Sequence, residues 1–450
     1  MHDVPSQRRL WPFTSLALLA LAPTLAPTLA SAQETPHEAT NDASDTTSAV
    51  PSAPPADESA PPAAPTATVT ALQPEETPAK TKSDENDRNV EKDEQDEQDE
   101  QDEPPWYEKL RIRGYAQLRF NRLFVTEDDF GNPLGDPATA DDNSFSIRRA
   151  RLVVSGEVAS FLDVYLQADF AGEDAKMRDW YGDLYLTRDK QLRLRLGQSK
   201  VPYGFENMQS SSNRAPLDRS DALNTAIPGE RDVGVFAYWE PVAARELYKH
   251  LTDSGLKGSG DYGVVALGVY NGQGLNVLDE NENRHVVARV NYPFRIGRQI
   301  VEAGVAGYIG KFTVETDPGI TGGDSVRDMR AGASLVVYPQ PLGFQAEYNI
   351  GKGPELVGDT IQAEPLHGGY AMVLVKIGDF VPYVRGAYYD GAYKSFTNAP
   401  SAESTELVIG SEWHVGDALE LTLEVDHAKR TIEDETLWGT MIRAQAQINY

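Results

Sequence analysis

Arginine recurs at alternate positions in several short segments of this sequence. The clearest is QLRLRLGQ at residues 191–198, where Arg193 and Arg195 alternate with leucines. Two earlier segments, RIRGYAQLR and SIRRARLVV, contain Arg111, Arg113 and Arg119, and Arg148, Arg149 and Arg151. The guanidinium group is permanently charged and its planar donors fit oxyanions, so arginines gathered on one surface would attract anions. Chemistry of this kind requires elements that bring these segments together.

A period of two residues indicates β-strands with one apolar and one polar face. The segments FLDVYLQADF at 161–170, ALELTLEVDH at 418–427 and TMIRAQAQINY at 440–450 divide in the same way. The predicted strands are 110–123, 144–158, 161–170, 179–187, 190–198, 232–240, 261–271, 284–295, 298–311, 327–338, 341–350, 367–377, 380–390, 404–415, 418–428 and 438–450.

The connections between these sixteen strands alternate in length. Short ones such as 160–161 and 378–380 alternate with long ones such as 124–143 and 312–326. This alternation is typical of an all-β, transmembrane, antiparallel up-and-down barrel with an apolar outside and a polar lumen. A soluble β-sandwich is the alternative, but it does not predict alternating connection lengths. The period leaves open whether Arg148 or Arg149 faces the lumen.

The N-terminal quarter of the chain has a different composition. Residues 1–32 predict a signal peptide, because Arg8 and Arg9 precede an apolar core and an A-x-A site that ends at Ala32. A membrane anchor is the alternative. Residues 33–107 predict a disordered linker, rich in proline and alanine and then in acids, with too few apolar residues to fold. Residues 108–450 would form the barrel, placed in the bacterial outer membrane with the linker in the periplasm.

Composition excludes several classes of function. The net charge of −28 argues against nucleic acid as a partner, and the absence of cysteine excludes thiol chemistry and disulfides. No hydrolase or nucleotide-binding motif occurs, and the seven histidines show no metal-ligand spacing, so neither catalysis nor a metal or other cofactor is expected. Residues 110–450 alone carry a net charge of −13, which by composition would favour cations in a pore.

Five segments in order carry a resemblance to a known family. They are SIRRARLVVSGEV, MRDWYGDLYL, LRLRLGQSKVPYGFE, SSSNRAPLDRS and GVYNGQG. Over roughly residues 108–450 the chain resembles the phosphate-selective porin O/P family. The resemblance implies a trimer of sixteen-stranded barrels, a long third loop folded inward as a constriction, and a basic, anion-conducting eyelet.

The resemblance also assigns residues. Arg148 and Arg149 match paired arginines that meet the anion, Asp179 an acid that orients them, and Arg219 a loop arginine at the constriction. Ser212 stands where phosphate-specific members carry a lysine, with Arg214 as a candidate replacement. The long connection 199–231 adds Lys200 to the predicted constriction. The residues predicted to line the pore are Arg113, Arg119, Arg151, Arg193 and Arg195; pairing with acids to brace the wall is their alternative role.

The prediction for the function is passive uptake of small anions such as phosphate or polyphosphate. The expected partners are these solutes, outer-membrane lipid, two further copies of the chain, and the barrel-assembly machinery, which would read the last strand through Tyr450. Two alternatives remain: an outer-membrane barrel hydrolase, and a structural barrel whose acidic linker tethers the envelope. Anion preference is expected despite the acidic composition, because charge at the narrowest point governs entry.

Overall fold

The computed structural model describes residues 105–126, 145–172, 174–279, 281–432 and 435–450. Sixteen antiparallel strands form a closed barrel in which each strand pairs with its neighbours in sequence and β1 pairs with β16. The predicted all-β up-and-down barrel is therefore confirmed. The predicted signal peptide and nearly all of the predicted linker lie outside the described residues.

The strands are β1 Arg111–Thr126, β2 Phe145–Ala159, β3 Leu162–Asp169, β4 Lys176–Tyr185, β5 Leu192–Lys200, β6 Arg231–Trp239, β7 Val265–Tyr270, β8 His285–Ile296, β9 Gln299–Phe312, β10 Val326–Val337, β11 Leu342–Val357, β12 Thr360–Val375, β13 Phe380–Ala392, β14 Ser401–Val415, β15 Leu419–Ile432 and β16 Glu435–Asn449. Two helices, α1 Asp221–Asn224 and α2 Val242–Asp253, lie in connections. Single 3₁₀ turns cover Trp106–Lys109 and Pro228–Glu230.

The alternation of side chains decides which face of each strand points outward. In β5 the arginines at 193 and 195 are buried inside the barrel, whereas Leu196 is 47% exposed on its outer face. In β15, Leu423 is 59% exposed and its neighbour Glu424 is fully buried. Apolar side chains thus cover the outside and charged ones fill the lumen, the reverse of a water-soluble protein and the arrangement suited to a bilayer. None of the helices in the described ranges has the length and apolar character needed to cross a membrane.

The two ends of the barrel differ in their connections. One end, called here the turn end, has mostly short connections, such as 160–161 and 297–298; its exception is 240–264, which contains α2. The opposite end, called the loop end, contains the connection 201–230. It also contains 358–359, a two-residue turn closed by a glycine with positive φ. The predicted strands 341–350 and 367–377 left a long connection there, and the structure shortens it to two residues.

A β-bulge in β2 turns both members of the arginine pair into the lumen. Arg149 pairs with Gln117 of β1, and the next pair along the ladder skips one residue of β2, namely Arg148. A bulged residue escapes the in-and-out alternation of the strand. Arg148 accordingly reaches Asp218 inside the barrel, at 3.6 Å. The sequence left open which of Arg148 and Arg149 faces the lumen, and the structure places both side chains there.

Candidate functional site

Residues 201–230, called here the inward loop, fold into the lumen and are mostly buried there. The carboxylate of Glu347 on β11 accepts hydrogen bonds from the backbone N–H groups of Phe205 and Glu206, at 2.8 and 3.0 Å. Farther along the loop, Arg330 and Asn349 donate to the carbonyl oxygen of Ala222, at 3.1 and 2.9 Å. These bonds hold the loop against the wall formed by β10 and β11. The predicted inward folding of the third loop is confirmed.

Asp218 fixes the same loop to the other side of the barrel. Its carboxylate lies 3.0 Å from Arg119 of β1, 2.7 Å from Arg443 of β16 and 3.6 Å from Arg148 of β2. Burial by itself would raise the pKa of Asp218, but Arg119 and Arg443 outweigh it and hold that pKa well below its usual range. The carboxylate is therefore ionised and ties three strands to the loop.

The two loop arginines assigned to the constriction stabilise the loop's own backbone. Arg219 forms an ion pair with Glu230 and donates to two loop carbonyls. Burial would raise the pKa of Glu230, but Arg219 and Arg231 hold it well below its usual range. Arg214 donates to two further carbonyls at 2.9 and 2.6 Å, and its Nη1 is buried without a hydrogen-bond partner. Both side chains are buried and keep the loop compact.

Asp179 does not contact the arginine pair that the resemblance assigned to it. Its carboxylate accepts two hydrogen bonds from Nε of Arg231, at 3.1 and 3.0 Å. The reason is register: through β3, Asp179 lies level with Val153 of β2, four residues from Arg149. Four residues of strand span about 13 Å, which is beyond the reach of a carboxylate. Asp179 therefore orients Arg231, and the predicted contact is wrong.

Space remains in the lumen between the inward loop and the wall formed by β1–β6. A cavity of about 270 Å³ lies there, and we call it the cationic passage. Its charged lining consists of five cations, Arg113, Arg151, Arg195, Lys200 and Arg231, and two acids, Asp179 and Asp261. Tyr115, Tyr165, Tyr181 and Tyr262 supply hydroxyl groups and ring faces.

Most of the wall arginines predicted to line the pore are braced by carboxylates. Arg195 donates two hydrogen bonds of 2.8 Å to Asp183. Arg151 lies 2.9 Å from Asp169, and Arg193 lies 2.8 Å from Asp261. These pairs contribute little net charge to a solute that passes them.

Three cations have a different environment: Lys200 and Arg113 line the passage, and Arg149 lies two residues along β2 from the lining residue Arg151. Nζ of Lys200 donates to two backbone carbonyls, at 3.0 and 2.6 Å. Arg149 donates to the amide oxygen of Gln117 at 2.8 Å, and Gln117 contacts Ser211 of the inward loop at 3.1 Å. Arg113 is exposed within the lumen. Within the described ranges, no carboxylate oxygen lies within 4.0 Å of these three cations, so no ion pair there neutralises their charge.

A second insertion into the lumen was not predicted from the sequence. After α2, residues 254–264, called here the inserted segment, enter the barrel from the turn end. The carbonyl of Gly258 accepts a hydrogen bond from Asn213 of the inward loop at 2.8 Å, and that of Lys257 accepts one from Gln209 at 2.7 Å. The lumen is thus narrowed from both ends. A second bulge, at Arg178 of β4, was also missed, since a bulge has no simple sequence signal.

Residues 126–450 match the family described as phosphate-selective porin O and P. The solved structures similar to this chain include the outer-membrane channel DcaP of Acinetobacter baumannii, with 14% identity and a TM-score of 0.49, covering 76% of this chain and 97% of that one. They also include an anion-selective porin from Comamonas acidovorans, with 11% identity and a TM-score of 0.46, covering 76% of this chain and 99% of that one. OmpF of Salmonella typhi is 12% identical with a TM-score of 0.48, covering 76% of this chain and 97% of that one. No curated protein matches the sequence.

Proposed function

Because the chain belongs to the phosphate-selective porin O and P family, and so forms an outer-membrane channel, we propose that this channel prefers small anions. The observation that carries the proposal is the positive charge of Arg113 and Lys200 in the lining of the cationic passage, with Arg149 two residues along β2 from the lining residue Arg151. An anion pore needs cations along a polar path, without a site strong enough to trap the solute. A polar passage with separate cations meets both requirements.

The acidic composition does not oppose this preference. Many acids in the lumen form ion pairs. Asp183 pairs with Arg195, and Asp218 lies within ion-pair distance of three arginines. Charges on exposed loops are screened over about 8–10 Å at physiological ionic strength. A solute in the passage therefore responds mainly to the unpaired cations beside it, and the net charge of the whole chain has little weight.

The chemistry of the passage favours a general anion over a single tightly bound one. Arginine presents planar donors that fit oxyanions, so phosphate and polyphosphate are candidate solutes. Ser212 of the inward loop is a neutral residue, and the nearby Arg214 is turned toward carbonyls of the loop itself. We therefore propose passive, low-affinity passage of small anions without catalysis.

The assembly of the channel is part of the same proposal. We propose that three copies form a trimer in the outer membrane, with residues 33–107 in the periplasm after removal of the signal peptide. Tyr450 closes the barrel, because its backbone exchanges hydrogen bonds of 3.0 and 2.7 Å with Gly114 of β1. A terminal aromatic residue on a closing strand suits recognition by the barrel-assembly machinery.

The test is the zero-current potential of the purified full-length protein in a planar bilayer under a salt gradient. We expect wild type to prefer anions and the double variant Arg113→Gln with Arg149→Gln to lose most of that preference. Arg327→Gln is the matched control, because Arg327 lies on a strand but is exposed on the outer wall. Cation preference in wild type, or unchanged selectivity in the double variant, would overturn the proposal. Added phosphate and polyphosphate, tested as blockers, would rank the solutes.

A further inference from the structure

The inserted segment crosses the lumen at the turn end and is held on both sides. Near its start, Nζ of Lys376 donates to the carbonyl of Ser254 at 2.6 Å. Lys257 then reaches Glu412 of β14, and Asp261 reaches Arg193 of β5 on the opposite wall. The segment therefore forms a bar across the end of the channel, and α2 packs against the barrel through the buried Tyr248 and Leu251.

Lys257 enters a cluster of groups that commonly bind metal ions. Its Nζ lies 2.5 Å from Oε2 of Glu412, and both side chains are about 1% exposed. His414 lies beside them, with Nε2 at 3.7 Å from Oε2 of Glu412 and Nδ1 at 3.6 Å from Oε2 of Glu420. One ligand atom from each of Glu412, His414 and Glu420 can be chosen so that all three lie within 4.8 Å of one another.

The positions of these three residues follow from the barrel. His414 pairs directly with Glu420 across β14 and β15, and Glu412 lies two residues along on the same lumen face as His414. Oε2 of Glu412 contacts Nζ of Lys257, whereas its buried Oε1 has no hydrogen-bond partner among the described residues. A buried carboxylate needs a compensating cation, and the ammonium group of Lys257 supplies it. The cluster is therefore built around a cation.

We propose that Glu412, His414 and Glu420 bind a divalent transition-metal ion of the Zn²⁺ class in competition with the ammonium group of Lys257. Zn²⁺ takes imidazole nitrogen and carboxylate oxygen at about 2.0–2.2 Å, which separates tetrahedral ligands by about 3.4 Å. Small rotations of two glutamates bring the three atoms to that spacing, and water completes the shell. Mg²⁺ and Ca²⁺ require six or more oxygen ligands, so this set of donors discriminates against them.

Metal binding at this position would change how the inserted segment is attached to the barrel wall. A metal ion on Oε2 of Glu412 would take the position next to that oxygen which Nζ of Lys257 occupies, at 2.5 Å, so it would displace Lys257 and remove one attachment of the inserted segment. Because that segment touches the inward loop at Gln209 and Asn213, we expect its displacement near Lys257 to widen the lumen next to the cationic passage. The inference does not depend on anion preference, and its failure would leave the proposed function intact.

The test is titration of the purified full-length protein with Zn²⁺ by calorimetry. We expect one Zn²⁺ per chain, and at least tenfold weaker binding in His414→Ala, a half-buried residue whose loss spares the buried ion pair. We expect about tenfold tighter binding in Lys257→Met, because the competing cation is gone. His427→Ala is the matched control, since His427 is exposed on the outer wall of β15 and should have no effect.

A second measurement requires no change at Lys257. Single-channel conductance of wild type should rise when Zn²⁺ is added at the turn end, and conductance of His414→Ala should not change. Equal Zn²⁺ affinity in wild type and His414→Ala would refute the site. An unchanged affinity of folded Lys257→Met for Zn²⁺ would refute the competition. So would a wild-type conductance that does not change on addition of Zn²⁺ although calorimetry shows that Zn²⁺ binds.

Discussion

Reversing the charge of Arg113 should change ion preference while leaving the fold intact. Arg113 is exposed in the passage and has no ion pair in the described part of the chain, so Arg113→Glu breaks no structural contact. A unit charge about 5 Å from a permeating ion contributes about 0.8 kcal/mol in water, and screening roughly halves this value. Anions and cations respond oppositely and the charge changes by two units. The anion-to-cation difference should fall by about 1.8 kcal/mol, or about twentyfold in the permeability ratio.

The assay is the zero-current potential in a planar bilayer under a tenfold gradient of potassium chloride. Arg113→Gln changes the charge by one unit and should lower the permeability ratio by about four- to fivefold. Arg327→Glu makes the same reversal on the outer wall and should leave the ratio unchanged. If folded Arg113→Glu shifts the ratio by less than about twofold, ions do not pass beside Arg113 and the passage is not the conducting path.

Three further predictions concern stability and processing. Asp218→Asn should lower the free energy of unfolding by about 3–5 kcal/mol, because buried arginines lose their shared carboxylate. Thermal melting measures this loss, and Asp379→Asn, at an exposed position, is the control. A loss of stability below about 1 kcal/mol would contradict the prediction. The stabilisation by Glu230, whose pKa is held low, is complete above the ordinary glutamate pKa of about 4.3 and is lost as the pH falls further. The difference in melting temperature between wild type and Glu230→Gln should therefore be the same at pH 7 and pH 5, and a difference that shrinks over this range would contradict the prediction. Limited proteolysis should remove residues 33–105 and leave a core that begins near 105–110; a core that begins near residue 40 would contradict the predicted linker.

The strands could be predicted from sequence because a barrel in a bilayer enforces the alternation of every strand. Leucines at lipid-facing positions and arginines or acids at lumen positions leave a period of two that requires no partner information. The main disagreement is the hairpin of β11 and β12: the predicted strands ended at residue 350 and resumed at residue 367, whereas β11 ends at residue 357 and β12 begins at residue 360. Cross-strand pairing with a two-residue turn extends the ladder through Gly351, Gly353 and Pro354.

The partners of the site residues could not be predicted in the same way. Which carboxylate meets which arginine depends on register, and register through β3 places Asp179 far from Arg149. The bulge at Arg148 changes the face of a side chain without any signal in composition. The inserted segment was read as a plain connection, since its anchors, such as Glu412, are distant in sequence.

The two halves of the wall contribute differently to the channel. Strands β9–β16 hold the inward loop through contacts such as Arg385 with Glu206 and Arg443 with Asp218, so these arginines form ion pairs with the loop's acids. Strands β1 and β2 also contact Asp218, but β1–β6 face the remaining space, and there Arg113 and Lys200 have no ion pair with an acid of the described chain. An acidic barrel can therefore present a positive passage, because anchoring the loop removes acids from the solute's path. Loosening the loop would return those acids to the lumen and weaken the preference for anions.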